Sequence, residues 1–416
     1  MLAIALAVGV GAGQAARAQD AVNEAKALIE SGRLDEAAEG LRAQDQSDPE
    51  ILFLEAEIAA RQERWDAAEA LYRKILESNP DAQRVRLELA RALFEQGDDI
   101  AAEYQFRKAL GAAPETEETV GDFLQHIRER KRWSGDLFVG AIADSNMNRS
   151  TSAGEVALFG LPFILSQQAR QKSGFGADVA LSGEYSAALA DHVRLRSGAD
   201  FYRNDYEGGQ FDDMQIAPYV GPRFFQSWGE VSVLGVALER WYGNAPYYYG
   251  YGSRVEATWN VTGPCRLDGT AQVAQLWYPQ REFLNGFQLD MIGTASCVLS
   301  KASYARAIIG AGHQTARDKT WQNDYGRLGF GFGTGLWWGI SLYVEPSATY
   351  YSYDAQSFGQ ERRDWLVSAT ATLSNSVWSV LGLSPSLTFG YQRDLSTVEL
   401  FSYQREYALI GLGRHF

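Results

Sequence analysis

The sequence predicts a multi-domain chain: an α-helical repeat solenoid followed by a transmembrane antiparallel β-barrel of about 14 strands. Three observations predict it. Residues 20–114 repeat at offsets of about 31 and then 34 residues, residues 133–416 alternate apolar with polar at period 2, and aromatics and glycines gather in that second part. With 12% aromatics and 41 glycines among 416 residues, the composition is far from that of a soluble α/β enzyme. The formal net charge of −14 argues against a phosphate-binding surface, and so against nucleic acid as a partner.

The first 18 residues are an apolar run ending in Ala16-Arg17-Ala18, a small-x-small pattern that predicts a secretory signal peptide cut after Ala18. The Lys or Arg that normally precedes such a run is missing. The run is too short for a membrane-spanning anchor, and no cysteine follows it to carry a lipid. No later window holds the roughly 20 consecutive apolar residues of a membrane helix.

The helical domain is expected over residues 20–132. Ala25, Ala56 and Ala90 correspond, as do Leu28, Ala59 and Leu93, and Ala37, Ala68 and Ala102. Leu41, Tyr72 and Phe106 form a fourth set, and Pro49, Pro80 and Pro114 a fifth. Small residues let paired helices approach, the bulky residue fills the space beside them, and proline starts a helix where its missing N–H costs nothing. The second offset is the tetratricopeptide period, so three units form a short superhelix with a concave groove. By resemblance to that repeat family, the groove positions are Phe53, Glu57, Arg61, Arg84, Arg91, Phe94 and Glu95. They are candidates for cargo or partner contact; a solvated helix face is the plainer reading. Residues 115–132 read as one more helix, closing the solenoid with a basic end from Arg128 to Arg132.

The barrel is expected over residues 133–416. In Val380 to Tyr391, Leu381, Leu383, Pro385, Leu387 and Phe389 interleave with Gly382, Ser384, Ser386, Thr388 and Gly390. Such alternation also suits a soluble sandwich. Strand length decides for a membrane barrel: about 14 segments of 11–15 residues exceed globular strands but suit tilted membrane crossings. Short connections near Gly263-Pro264, Ser300-Lys301 and Asn375-Ser376 alternate with longer polar ones near 204–210, 315–321, 353–361 and 393–400. That is the short periplasmic turn and long outer loop of a bacterial outer-membrane barrel, and the even count ends at Phe416 on the short-turn side. Trp241-Tyr242, Tyr247-Tyr248-Tyr249, Trp277-Tyr278, Trp337-Trp338 and Tyr350-Tyr351 cluster at strand ends, as girdles at two membrane interfaces do.

The residues that carry chemistry elsewhere are absent or scattered. His126, His192, His313 and His415 have no metal-ligand spacing, and no nucleophile elbow or Walker loop occurs. Gly329, Gly331 and Gly333 interleave with Phe330 and Phe332 inside an alternating strand, so they are strand positions rather than a nucleotide loop. No enzyme, no cofactor and no metal are expected. Cys265 and Cys297 face each other if their strands pair, and an oxidising periplasm allows a cross-strand disulfide; two separate small thiols are the other arrangement. The longest loop, 144–172, carries the apolar stretch Leu158 to Leu165, expected to plug the barrel mouth, extend the first strands, or meet cargo. It opens with Asp144, Ser145, Asn146, Met147 and Asn148, residues that cap a strand and start a loop.

A signal, a short repeat domain and a 14-stranded barrel opening at Trp133 resemble the surface lipoprotein assembly modulators, outer-membrane translocons of type XI secretion. The sharpest local likenesses are Asp144, Ser145, Asn146 and Asn148, and the Phe159 to Phe163 stretch. The resemblance implies an outer-membrane protein whose periplasmic repeats receive a lipoprotein or a small secreted haem- or metal-binding protein. The barrel then passes that cargo to the cell surface, with periplasmic chaperones and membrane lipids as further partners. Two features depart from the family: only three repeats, and Arg414 where a lipid-facing position would be apolar. An exopolysaccharide-export porin with a repeat scaffold, or a passive porin, are the rival readings.

Overall fold

The computed structural model describes residues 20–416 except 110–119, 125, 128, 129, 131, 227, 261–264, 301, 376, 380 and 381. The expected signal peptide, Pro114 and the turn at 263–264 lie outside the described residues. The chain divides into two compact units between residues 130 and 131.

In the first unit, helical residues 20–30 form α1, followed by α2 (Leu34–Leu41), α3 (Pro49–Arg61), α4 (Trp65–Ser78), α5 (Gln83–Gln96) and α6 (Asp99–Ala109). Residues 120–124, 126–127 and 130 are helical again and form α7. Pro49 opens α3, and the Asp48 side chain caps it by accepting from the Glu50 N–H at 2.8 Å. Gly97 takes φ +84° to end α5, a left-handed cap that only glycine adopts without strain. The alanines of the repeat are fully buried, as are Leu41, Tyr72 and Phe106. Val120, Leu124 and Ile127 of α7 join the core of Leu89, Leu93, Ala102 and Phe106. Apolar burial of this kind, rather than helix propensity, holds such short helices.

In the second unit, fourteen strands close an antiparallel barrel in the order β1-β16-β15-β14-β13-β12-β11-β10-β9-β8-β7-β6-β5-β4. They are β1 (Trp133–Asp144), β4 (Gly174–Ala190), β5 (Val193–Tyr206), β6 (Asp213–Gln226), β7 (Gly229–Tyr242), β8 (Ala245–Asn260) and β9 (Cys265–Trp277). The circle continues with β10 (Gly286–Val298), β11 (Ser303–Gln314), β12 (Asn323–Gly335), β13 (Ile340–Ser357), β14 (Gln360–Asn375), β15 (Ser384–Ser396) and β16 (Tyr403–His415). Between β1 and β4, strands β2 (Glu155–Leu158) and β3 (Leu161–Ile164) form a separate hairpin.

Outward positions carry exposed apolar side chains such as Val139, Leu181, Val255, Leu328 and Ile410. Aromatics bound that band. On β4, Phe175 and Tyr185 are ten residues apart and exposed, and so are Tyr249 and Trp259 on β8. Ten residues at about 3.3 Å each, tilted by about 40°, rise roughly 25 Å, the height of an outer-membrane apolar band. Inward aromatics lie flat over glycines of the neighbouring strand. A Cβ on Gly390 would stand 2.1 Å from Cζ of Tyr407, and one on Gly331 would stand 2.2 Å from the Tyr343 hydroxyl. Glycine is required there because the ring occupies the space of its side chain.

Two details differ from the expectations. Residues 353–361 are not a loop: β13 and β14 run on to a two-residue turn at Phe358 and Gly359, both with positive φ. Tyr247, Tyr248 and Tyr278 are not girdle residues but pack together, with centroid distances of 5.5–5.9 Å, beside Leu276 and Leu284. A bulge between the pairs Arg240–Tyr248 and Trp241–Pro246 leaves Tyr247 as an extra residue, which breaks the simple alternation. Arg414 is exposed, with its guanidinium beside Gly382.

The β2–β3 hairpin turns through Phe159 and Gly160, both at positive φ, as a two-residue type I′ turn demands. Val156 and Leu158 are buried against Val398, Phe358, Leu400 and Phe401, while Phe159, Leu161, Phe163 and Ile164 stay exposed. Pro162 opposes Ala157, the pair after the turn-flanking Leu158–Leu161, so its nitrogen points to the free edge of β3.

Candidate functional site

Two places gather the candidate residues. In the helical unit, Phe53, Glu57, Arg61 and Arg84 line one cavity of about 670 Å³, with Lys26, Glu50 and Asn79 also at its wall. α3 supplies Phe53 and Glu57 one turn apart, and α5 brings Arg84 over the Phe53 ring at 5.2 Å. Arg61 reaches Glu57 at 3.0 Å and the Ile29 carbonyl at 3.4 Å. The cavity thus offers an aromatic floor with charges of both signs, suited to a peptide rather than to a single anion. Arg91 and Phe94 belong to a second group: Arg91 lies over Phe123 at 5.6 Å, and Phe94 contacts Phe123 at 5.1 Å while Arg130 covers it at 3.7 Å. Glu95 is exposed and sits in neither group.

In the barrel, Asp144, Ser145 and Asn146 each bond to β16. Asp144 is fully buried and holds Arg405 at 2.6 Å, while the Tyr206 hydroxyl donates to it at 2.8 Å. Ser145 exchanges two bonds with Glu406, its N–H donating to the carbonyl at 2.9 Å and its hydroxyl accepting from the N–H at 2.8 Å. The Asn146 amide donates to the carbonyls of Gln404 and Ser150, both at 2.8 Å. Asn148 pins the other root of the long loop, donating to the Arg170 carbonyl at 2.8 Å and accepting from the Lys172 N–H at 2.9 Å. The cluster has no nucleophile beside a base. It ties the first strand to the last and fixes both ends of the loop.

Five of the connections at the Asp144 end are linked ring to ring. Phe283 meets Trp321 at 6.1 Å, Trp321 meets Phe401 at 5.9 Å, Phe401 meets Phe358 at 6.1 Å, and Phe358 meets Phe159 at 5.7 Å. Buried Arg362 lies over Phe401 at 3.5 Å and pairs with Asp364 at 2.6 Å. At the Trp133 end, one wall of the lumen is charged: Glu184 is held by Arg196, by Arg223 at 2.9 Å and by Tyr219 at 3.1 Å, and Arg196 also reaches Glu256 at 2.7 Å. The facing wall is mostly hydroxylic, with Ser341–Ser374, Ser347–Ser368 and Thr372–Thr388 pairs at 2.7–2.9 Å around the ion pair of Glu345 with Arg327 at 3.6 Å.

Cys265 and Cys297 stand opposite one another in the β9–β10 ladder and form a disulfide. Among the described residues no group of His, Cys, Asp and Glu could hold a metal ion. Sequence reasoning missed Arg405, Tyr206 and the Glu184 network. Arg405 had a signal: it is the charged inward residue of a strand whose other inward positions are Tyr, Leu and Gly, up to His415 at its last residue.

Residues 133–416 match the family model described as surface lipoprotein assembly modifier, and residues 41–106 match the model of that family's N-terminal TPR repeats. Surface lipoprotein assembly modifier 1 of Neisseria meningitidis serogroup B is 24% identical, over 88% of this chain and 75% of its own length. The hemophilin secretion modulator of Acinetobacter baumannii is 22% identical, over 88% and 78%. Surface lipoprotein assembly modifier 1 of Haemophilus influenzae is 21% identical, over 83% and 73%. With the barrel and the repeats both matched, the chain belongs to the surface lipoprotein assembly modifier family.

Proposed function

We propose that the chain is an outer-membrane translocon that places a lipoprotein, or a small secreted haem- or metal-binding protein, on the cell surface. The observation that carries this is the joining, in one chain, of groove-forming repeats and a closed 14-stranded barrel, both matched by models of one family. Relatives named for surface lipoprotein assembly and for hemophilin secretion support the cargo class. The helical unit lies in the periplasm and receives cargo in the Phe53–Arg84 cavity, and the Asp144 end of the barrel faces outward. The chain acts by assembly, not by catalysis. No nucleotide is at hand in the periplasm, so directionality comes from cargo folding outside, while chaperones that bind the unfolded form keep it competent to cross. Deleting the gene and shaving intact cells with protease tests the reading: surface proteins that depend on it become protected. If every surface protein stays accessible, the reading fails.

A further inference from the structure

The Asp144–Asn146 knot has a consequence for how cargo leaves. The β1–β16 ladder runs from Asp136–His415 to Asp144–Tyr407, the shortest of the fourteen. It joins two strands at opposite ends of the barrel sequence, so no hairpin turn tethers them. Its polar ties lie only at the two ends. At one are Asp144–Arg405, Ser145–Glu406 and Asn146–Gln404; at the other are the reciprocal Gly135–Phe416 backbone bonds at 2.9 and 3.0 Å and His415–Asp136 at 2.9 Å. Between them, from Leu137 to Ala143 and from Ala408 to Gly413, every residue is apolar or glycine, and Gly140 directly faces Gly411. The Phe138 ring lies over both glycines, so neither strand contributes a side chain of its own at this pair and one inward ring covers the middle of the ladder. The connections at the Asp144 end, meanwhile, are interlocked by the Phe283-to-Phe159 row of rings, which runs across the top of the seam from the loop after β1 to the loop before β16.

We infer that the β1–β16 seam is a lateral gate, latched by Asp144 and Arg405, through which a lipid-anchored polypeptide passes from lumen to bilayer. This rests on the translocon reading. A lipid anchor must keep its acyl chains in the membrane while its polypeptide crosses, because every methylene drawn into water is unfavourable. A slit in the wall satisfies both needs, whereas an axial exit does not. Releasing the buried latch removes the charged tie at one end of a ladder whose two strands no connection joins, leaving the Ser145–Glu406 and Asn146–Gln404 bonds to yield with it.

Two experiments test the gate. In the full chain in phospholipid nanodiscs, hydrogen exchange of β1 and β16 is compared with that of β9 and β10. Asp144→Asn speeds seam exchange about 100-fold and leaves β9–β10 unchanged; Arg405→Gln does the same should the first variant misfold. Equal exchange in both ladders, before and after either substitution, overturns the gate. In cells, Ile142→Cys with Leu409→Cys locks the seam through an inward, non-hydrogen-bonded pair. The readout is the set of acyl-labelled proteins that lose surface biotinylation when the gene is deleted. The oxidised lock lowers their labelling at least 10-fold and reductant restores it, while wild type under the same reductant does not change. Undiminished labelling with the lock closed refutes lateral exit but leaves translocation standing. A deletion that changes no acyl-labelled protein overturns the gate, because no lipid-anchored cargo then needs it, and leaves export of an unlipidated protein standing.

Discussion

Phe106→Ala is the sharpest test of the helical unit. Phe106 is fully buried, stacked on Phe123 at 4.8 Å and surrounded by Leu93, Ala102 and Val120. Truncation removes about 100 Å² of buried apolar surface, worth about 2.5 kcal/mol at roughly 25 cal/mol per Å². It also leaves a cavity of roughly 80 Å³, which adds about 2 kcal/mol at about 24 cal/mol per Å³. A loss of about 4.5 kcal/mol is most of the stability of a marginal domain of this size. At about 4–5 °C per kcal/mol the melting temperature falls by roughly 20 °C. Circular dichroism at 222 nm on the full chain in detergent reads this transition, since the helices dominate that signal. Phe106→Leu, which refills most of the space, recovers at least half of the loss. A fall below about 5 °C would refute the assignment of Phe106 to the third bulky position of the repeat.

Three further outcomes are expected. Gly390→Ala drives its methyl into Tyr407 and destabilises the barrel by about 1–3 kcal/mol, and the coupling with Tyr407→Ala is favourable in a double-mutant cycle of denaturant midpoints; simple additivity would contradict the ring-over-glycine packing. Replacing both Cys265 and Cys297 with Ser opens a closure spanning 32 residues and lowers stability by about 3–4 kcal/mol, read as a reductant-sensitive denaturation midpoint present in wild type and missing in the variant. Arg84→Glu, at an exposed site, moves the helical melting temperature by less than about 3 °C yet reduces surface delivery of cargo about 10-fold or more, because it reverses the charge over Phe53. Unimpaired delivery would take the Phe53 cavity out of cargo recognition.

Much of this architecture was legible because it is written in periodicity. The alanine and bulky sets of the repeat are the buried sets of the helical unit, and each barrel strand lies within a few residues of its alternating segment. What escaped the sequence depends on spatial coincidence. Asp354, Gln356 and Ser357 read as a polar loop, yet they extend β13 beyond the membrane band, where a strand needs no apolar face. Tyr247 looked interfacial because one bulged residue cannot be seen from alternation. The knot at Asp144 read as a turn, and its partner Arg405 lies 261 residues away, so nothing local marks the pair. In the groove, a repeat pattern names the helix faces, but only packing divides Phe53 and Arg84 from Phe94 and Arg91.

Pro162 bears on what the exposed hairpin can do. A bare strand edge is a template on which any extended chain can zip, and such zipped pairs separate slowly. Proline at one outward position of β3 removes one of the two donors that edge would offer, leaving the Ile164 N–H. Phe159, Leu161, Phe163 and Ile164 therefore present exposed apolar side chains beside an edge with half of its donors. Side-chain contacts detach one at a time, so an edge interrupted in this way favours short dwell times over sheet growth between neighbouring barrels.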